Sequence, residues 1–366
     1  MSAMIDKIFV TKAAAEYEYS REICKRAGLK PELIRNDTAY REEVERFLPD
    51  PVGQGKRHLL LDVFRGGFFR KCPGTKGKVC CNYYVIDQTT NCPFDCSYCF
   101  LQSYLNLRAI RFAVNVEDLF RELEDVFRKH RFIRLGTGEL ADSLALEPLT
   151  GFGSKLMKFA IEFPGVVLEL KTKSANVENL PDVHGKPGRG VIGWTMEPAH
   201  VVSLEERGTA SLAERLEASV RAAEMGYGIA FHLDPVVFFP GFEEAYLDLV
   251  DQMFSCHKKL DWMSLAGFRY EPSLKGFVET RFPDSELLDG EFLRCSDGKY
   301  RYLFPERIHF FKRLVEKVKK LSPKTPVYFC MEDSRTWDLV MGKKALADPV
   351  LEPIFSKGGG DEKQGM

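Results

Sequence analysis

With 366 residues, 45% of them hydrophobic and 29% charged, the chain is long enough for one large α/β domain with an appendage, or for two domains. Its 52 basic and 53 acidic residues leave a net charge of −1, so bulk electrostatics give no support for a nucleic-acid binder, although a local basic face stays open. No run of about 18 apolar residues offers a membrane span, and the charged N-terminus makes a poor signal peptide, so a cytoplasmic location is expected.

In chain order, residues 1–48 read as two or more helices, with Glu18, Glu22, Lys25 and Arg26 on polar faces. The stretch LPDPVGQGK, Leu48 to Lys56, carries prolines and glycines and reads as a linker, closing an N-terminal helical extension over residues 1–55. His58–Phe64 and Asn82–Asp87 are expected strands, rich in β-branched and aromatic side chains. Val116–Lys129 carries an apolar stripe at helical spacing. Strands and helices then alternate: Arg131–Leu135, Val166–Lys171, Gly190–Met196, Gly228–Asp234 and Asp261–Gly267 as strands. Gly153–Glu162, Leu212–Met225, Phe242–Phe254 and Glu306–Leu321 are the expected helices. This alternation implies βαβ units, a parallel sheet, and an α/β partial or full barrel with C-terminal additions over residues 56–350. The tail 351–366, ending KGGGDEKQGM, is expected to be disordered.

Ten cysteines punctuate the chain, and six fall between Cys72 and Cys99. Clustering without a signal peptide points to metal or redox chemistry in a reducing compartment rather than a disulfide framework. The run NCPFDCSYCF sets Cys92, Cys96 and Cys99 on one tight loop after an expected strand. Soft thiolates at this spacing suit an iron–sulphur cluster, and three ligands leave one iron open for a small molecule. Zinc is the main alternative, but a structural zinc site wants four ligands, usually as two separated pairs. In a parallel barrel, the loop after a strand's C-terminal end is where active-site residues gather. The segment RFIRLGTGE then runs a strand into Gly136, Thr137, Gly138 and Glu139; glycines there permit close backbone approach to a ligand, or simply make a turn.

A three-cysteine loop after the first barrel strand, with Tyr98 before the last cysteine, resembles the radical S-adenosylmethionine superfamily. The segments CSYCFLQ, RLGTGELADSLALEPLT, LELKTKS, GWTMEP and SLAERLEASVRAAEMGYGIAFHLDPVV, spanning roughly Cys92 to Phe254, are similar to the spore photoproduct lyase family within it. The resemblance implies a 4Fe–4S cluster on Cys92, Cys96 and Cys99. It also implies S-adenosylmethionine held by Tyr98, Gly136, Thr137, Gly138, Glu139, Asp142, Lys173 and Thr195, and an electron donor such as flavodoxin or ferredoxin. In that family a 5′-deoxyadenosyl radical opens a thymine lesion in DNA. A cysteine then returns a hydrogen atom, helped by two tyrosines beside the cluster. Here Glu139 stands at that cysteine's position and Phe100 at the second tyrosine's, so Tyr98 and Glu139 are the catalytic candidates while the termination step departs from the family. The substrate is left open between a DNA lesion and a peptide, nucleotide or small metabolite. A nucleic-acid-binding module with a structural metal is the reading from another class.

The remaining cysteines and charges have no single reading. Cys72, Cys80 and Cys81 can form an auxiliary metal or redox site, donate hydrogen, or merely pack. Cys330 sits on a late strand, where it can approach the barrel mouth, though a place in the core is the expectation. His232 and Asp234 end a strand at the barrel end where site residues occur, as do Glu332 and Asp333, though a histidine there is more often a structural hydrogen-bonder. Arg65, Arg70, Lys71, Lys76 and Lys78 make a basic stretch that can touch phosphates or simply face solvent.

Overall fold

The alternating apolar runs between residues 84 and 329 become seven parallel strands in chain order. They are β1 (Tyr84–Ile86), β2 (Ile133–Gly136), β3 (Val166–Thr172), β4 (Arg189–Thr195), β5 (Gly228–Val236), β6 (Trp262–Gly267) and β7 (Val327–Phe329). Each pairs with its sequence neighbours, so the sheet reads β1 through β7 without reversal. An antiparallel strand, Phe69–Lys71, adds to the free edge of β1, and β7 forms the other edge. The sheet therefore curls as an open half-barrel, as the sequence pattern led us to expect. The computed structural model describes residues 4–343 together with Leu346, Leu351 and Ile354.

Five helices cover the outer face: α1 (Val116–Lys129), α2 (Phe152–Ala160), α3 (Leu212–Glu224), α4 (Phe242–Cys256) and α5 (Phe304–Leu321). In α1 the buried positions are Val116, Leu119, Leu123 and Phe127, spaced three and four apart so that one stripe meets the sheet. Ser211 and Glu214 form a capping box that starts α3 sharply, satisfying backbone donors at its first turn. No helix joins β3 to β4; residues 173–188 cross over as loop.

Two expectations are corrected here. The N-terminal segment is not purely helical. Lys7–Thr11 and Glu32–Ile34 are strands, paired in parallel and joined by His58–Asp62 and Ile110–Ala113 in a second sheet, with helices Glu18–Ala27 and Asp37–Glu43 beside it. The run Ile8–Phe9–Val10 is buried on both faces. Ile8 and Val10 pack into the main core, while Phe9 packs with Ile34, Tyr40 and Leu60 on the other side. A continuous apolar run of this kind suits a strand buried on two faces better than an amphipathic helix. At the other end, Leu351 and Ile354 belong to the buried core, whereas the tail from Lys357 lies outside the described residues. Among the described residues, no helix is long and apolar enough to cross a membrane.

Candidate functional site

Beyond β1 the chain turns at Asn91, whose φ of +70° is a conformation that asparagine tolerates better than most residues. Its side chain locks the turn: the amide donates to Arg108 O at 2.6 Å, and Oδ1 accepts the Cys92 N–H at 2.9 Å. Cys92 and Cys96 are buried and pack with Phe94 and Ala145, with Tyr98 and the half-buried Cys99 against them. Gln102 Nε2 donates to Cys96 O and Ser97 O at 3.1 and 3.0 Å, and the Cys99 N–H reaches Cys96 O at 3.2 Å. Asp95–Cys96 pairs antiparallel with Glu206–Arg207, and Arg281 Nη2 meets Asp95 Oδ2 at 2.8 Å. The loop is thus held from several directions before any metal binds.

The donor set fits an iron–sulphur cluster: three soft thiols on one fixed loop, packed together, with Cys92 and Cys96 screened from water. Burial pushes the Cys92 thiol up to about 12, helped by the Asp142 carboxylate, and lifts Cys96 well above its ordinary value. Only a strong ligand-metal bond would displace those protons. Among the described residues no three His, Cys, Asp or Glu side chains are gathered as they would be around one ion. The thiols of a cubane cluster each take a different iron, so they need not meet at one point.

Three of the expected cofactor residues are brought together by groups the sequence did not single out. The Tyr98 hydroxyl donates to Glu206 Oε1, and Glu206 Oε2 takes the Arg215 guanidinium; both members of this ion pair are fully buried. Arg215 donates onward to Thr195 O at 2.9 Å, to Ala210 O at 2.9 Å and to Thr209 Oγ1 at 2.8 Å. Lys173 Nζ lies 5.5 Å above the Tyr98 ring, and the Glu206 carboxylate raises its pKa against the opposing effect of burial. Tyr98 and Lys173 therefore meet on the cysteine loop, and Arg215 ties the backbone of Thr195 to them. Arg215 falls in a segment the sequence marks only as an expected helix and a family-like run, neither of which singles out its side chain.

The other expected ligands have internal roles. Asp142 accepts from Leu144 N, Ala145 N, Thr172 Oγ1 and Lys173 N at 2.9, 2.8, 2.8 and 2.6 Å, which ties the ends of β2 and β3 together. Thr137 Oγ1 donates to Ser143 Oγ at 2.7 Å. A Cβ at Gly136 would come within 2.1 Å of both Glu169 O and Tyr83 Oη, and one at Gly138 within 2.5 Å of Lys171 Cβ. Both glycines thus answer to neighbours already in the protein. Gly136→Ala is expected to cost about 3 kcal/mol through overpacking, read as a lowered midpoint in thermal or urea unfolding; an unchanged midpoint would remove the packing account. Glu139 turns to Arg70, Oε2 to Nη2 at 2.6 Å, and Asp87 holds the same guanidinium at 3.0 Å. A carboxylate so paired is an acceptor.

Inside the barrel lies a polar layer. His232 Nε2 is 2.7 Å from Glu169 Oε1, its Nδ1 is 2.5 Å from Ser264 Oγ, and Trp262 Nε1 donates to the same Glu169 oxygen at 3.1 Å. Burial holds the His232 pKa below its usual value, which keeps it a structural hydrogen-bonder. Arg134 sits among the rings of Tyr83, Trp262 and Tyr328 and donates to Cys81 Sγ at 3.1 Å. Asp234 pairs with Arg269, Glu332 with Arg307, and Asp333 caps the helix Ser334–Val340. Cys80 is exposed, and Cys72 and Cys330 are part-buried; all ten cysteines are free.

The sequence matches the model of the spore photoproduct lyase family over residues 4–329. A spore photoproduct lyase from Geobacillus sp. (strain Y412MC61) is 27% identical over 239 residues, covering 61% of this chain and 69% of the relative. One from Bacillus subtilis (strain 168) is 29% identical over 230 residues, covering 59% and 66%. Among solved structures, a spore photoproduct lyase complexed with dinucleoside spore photoproduct superposes with a TM-score of 0.78 at 22% identity, over 89% of this chain and 98% of that one. A mutant with bound AdoMet and the same dinucleoside gives 0.77 at 23%, over the same shares. At these identities the structural likeness speaks for the fold.

Proposed function

The chain belongs to the spore photoproduct lyase family, and from that premise we propose that it is a radical S-adenosylmethionine enzyme whose 4Fe–4S cluster sits on Cys92, Cys96 and Cys99. The observation that carries this reading is that Tyr98 and Lys173 meet on the loop bearing the three cysteines, two of them buried, and that the Glu206–Arg215 pair ties Tyr98 to the backbone of Thr195. When bound, the cluster supplies the electron that cleaves S-adenosylmethionine to a 5′-deoxyadenosyl radical. The residues' task is to bind and orient. Lys173 offers its ammonium to the cofactor's carboxylate, Thr195 its hydroxyl, and Tyr98 a wall beside Cys99. The buried surroundings of Cys92 and Cys96 keep water from the reacting centre. Reduction would come from flavodoxin or ferredoxin, and a reducing cytoplasm suits ten free thiols.

For the substrate, the relatives' names favour a thymine lesion in DNA. Release of 5′-deoxyadenosine after anaerobic reduction with S-adenosylmethionine tests the chemistry, and its absence would sink the enzyme reading. Recovery of thymine from ultraviolet-irradiated dry DNA tests the substrate. One observation favours a different radical reaction: Glu139, at the hydrogen-donor position, is committed to Arg70, and Phe100 is exposed beside the loop. Neither side chain carries a readily abstracted hydrogen. If the lesion is nonetheless the substrate, Glu139→Cys is expected to raise thymine recovery several-fold, because Asp87 continues to hold Arg70. Recovery no better than a cluster-cysteine mutant in both proteins would turn the assignment toward a substrate other than DNA.

A further inference from the structure

Lys56 is 2% exposed, a degree of burial that lysine rarely reaches without anionic company. It follows the short helix Pro51–Gly55, in the stretch that sequence alone reads as a linker. A Cβ on Gly55 would come within 2.6 Å of Arg108 O, so the chain passes close to the segment that leaves the cysteine loop and delivers Lys56 inward. Its Nζ donates to Phe94 O at 2.7 Å and Cys92 O at 3.3 Å, and Asp95 Oδ1 is 4.0 Å away. Asp95 is a shared anion, because Arg281 also takes it at 2.8 and 3.1 Å. The ammonium is therefore left with two backbone carbonyls and a fraction of one carboxylate. A neutral donor would serve the carbonyls equally well, and desolvating a full charge for that purpose alone is costly. What the surroundings lack in negative charge, three thiolates on the same loop would supply.

We propose that Lys56 is a positioning residue for the iron–sulphur cluster, pinning the Cys92 end of the loop and favouring the reduced cluster through its fixed positive charge. The inference rests on the cluster reading of Cys92, Cys96 and Cys99. A unit charge about 10 Å from a redox centre, at an effective dielectric of about 20, changes a one-electron equilibrium by about tenfold.

The test uses the holoprotein reconstituted anaerobically, with iron content and a dithionite titration followed by electron paramagnetic resonance as readouts. Lys56→Gln keeps amide donors for the carbonyls and removes the charge. It is expected to hold near-normal iron while the ratio of reduced to oxidised cluster at a fixed poise falls about tenfold. Lys56→Arg is expected to restore most of that ratio. A Gln variant that titrates like wild type overturns the proposal. If Gln and Met variants both lose iron, retention in Lys56→Arg supports the need for charge, and loss in Lys56→Arg as well overturns it. Wild-type protein without iron after reconstitution would instead defeat the cluster reading, so the two failures are separable.

Discussion

Cys96→Ala is expected to abolish iron–sulphur loading and, with it, all 5′-deoxyadenosine formation, while the fold survives. In the cluster reading each of the three thiols would hold a separate iron, so removing one would leave a two-thiol loop unable to retain about four irons per chain. The fold should tolerate the change because the loop is tied independently of its sulphurs. Gln102 and Glu206–Arg207 bond the Cys96 backbone, and Lys56 bonds those of Cys92 and Phe94. Truncating a buried thiol to a methyl costs about 1 kcal/mol, well within what a domain of this size absorbs. Iron analysis, circular dichroism and product formation on the same preparation decide the matter. A variant with wild-type iron content would refute Cys96 as a ligand.

Arg215→Leu is expected to be the most destabilising of the single substitutions considered and to weaken S-adenosylmethionine binding as well. The guanidinium is fully buried with Glu206 and spends its donors on Glu206, Thr195 O, Ala210 O and Thr209 Oγ1. Without it the Glu206 carboxylate is stranded in the interior, at a cost of about 3–5 kcal/mol, which corresponds to a fall in Tm of about 4–7 °C. The double variant Glu206→Gln with Arg215→Met removes both charges, so it should be less destabilised than Arg215→Leu alone. That non-additivity is the signature of a pair acting as one unit. Equal damage in the single and double variants would show that Arg215 contributes packing and not charge. Affinity for S-adenosylmethionine, measured by equilibrium binding, should drop in both, since Tyr98 and Thr195 lose their shared anchor.

Legibility from sequence followed the range of the interactions. The C-x3-C-x2-C loop was readable because its three cysteines lie within eight residues and need no tertiary context. Helix α1 and strands β2 to β6 were readable because amphipathic periodicity is local. The strand Lys7–Thr11 was not, because its two-sided burial depends on partners at Glu32–Ile34 and His58–Asp62. Gly136 and Gly138 looked like ligand-approach positions, yet Tyr83, Glu169 and Lys171 already press on them. Glu139 was marked as a departure from its relatives, but its partner Arg70 lies 69 residues earlier, across the edge strand of the sheet.

The cysteine loop and the α/β alternation are legible in residue order alone, as is the expectation that Phe100 and Glu139 depart from the family's hydrogen-return step. Those features are written in residue type and short spacing. What surrounds the loop is visible only in three dimensions: Lys56 from 36 residues before Cys92, Glu206 and Arg215 bridging Tyr98 to the Thr195 backbone, and Arg281 closing on Asp95 from 186 residues away. The physical reason is that a buried charge is defined by its partner, and partners separated by a whole barrel's length of chain leave no periodic trace along it.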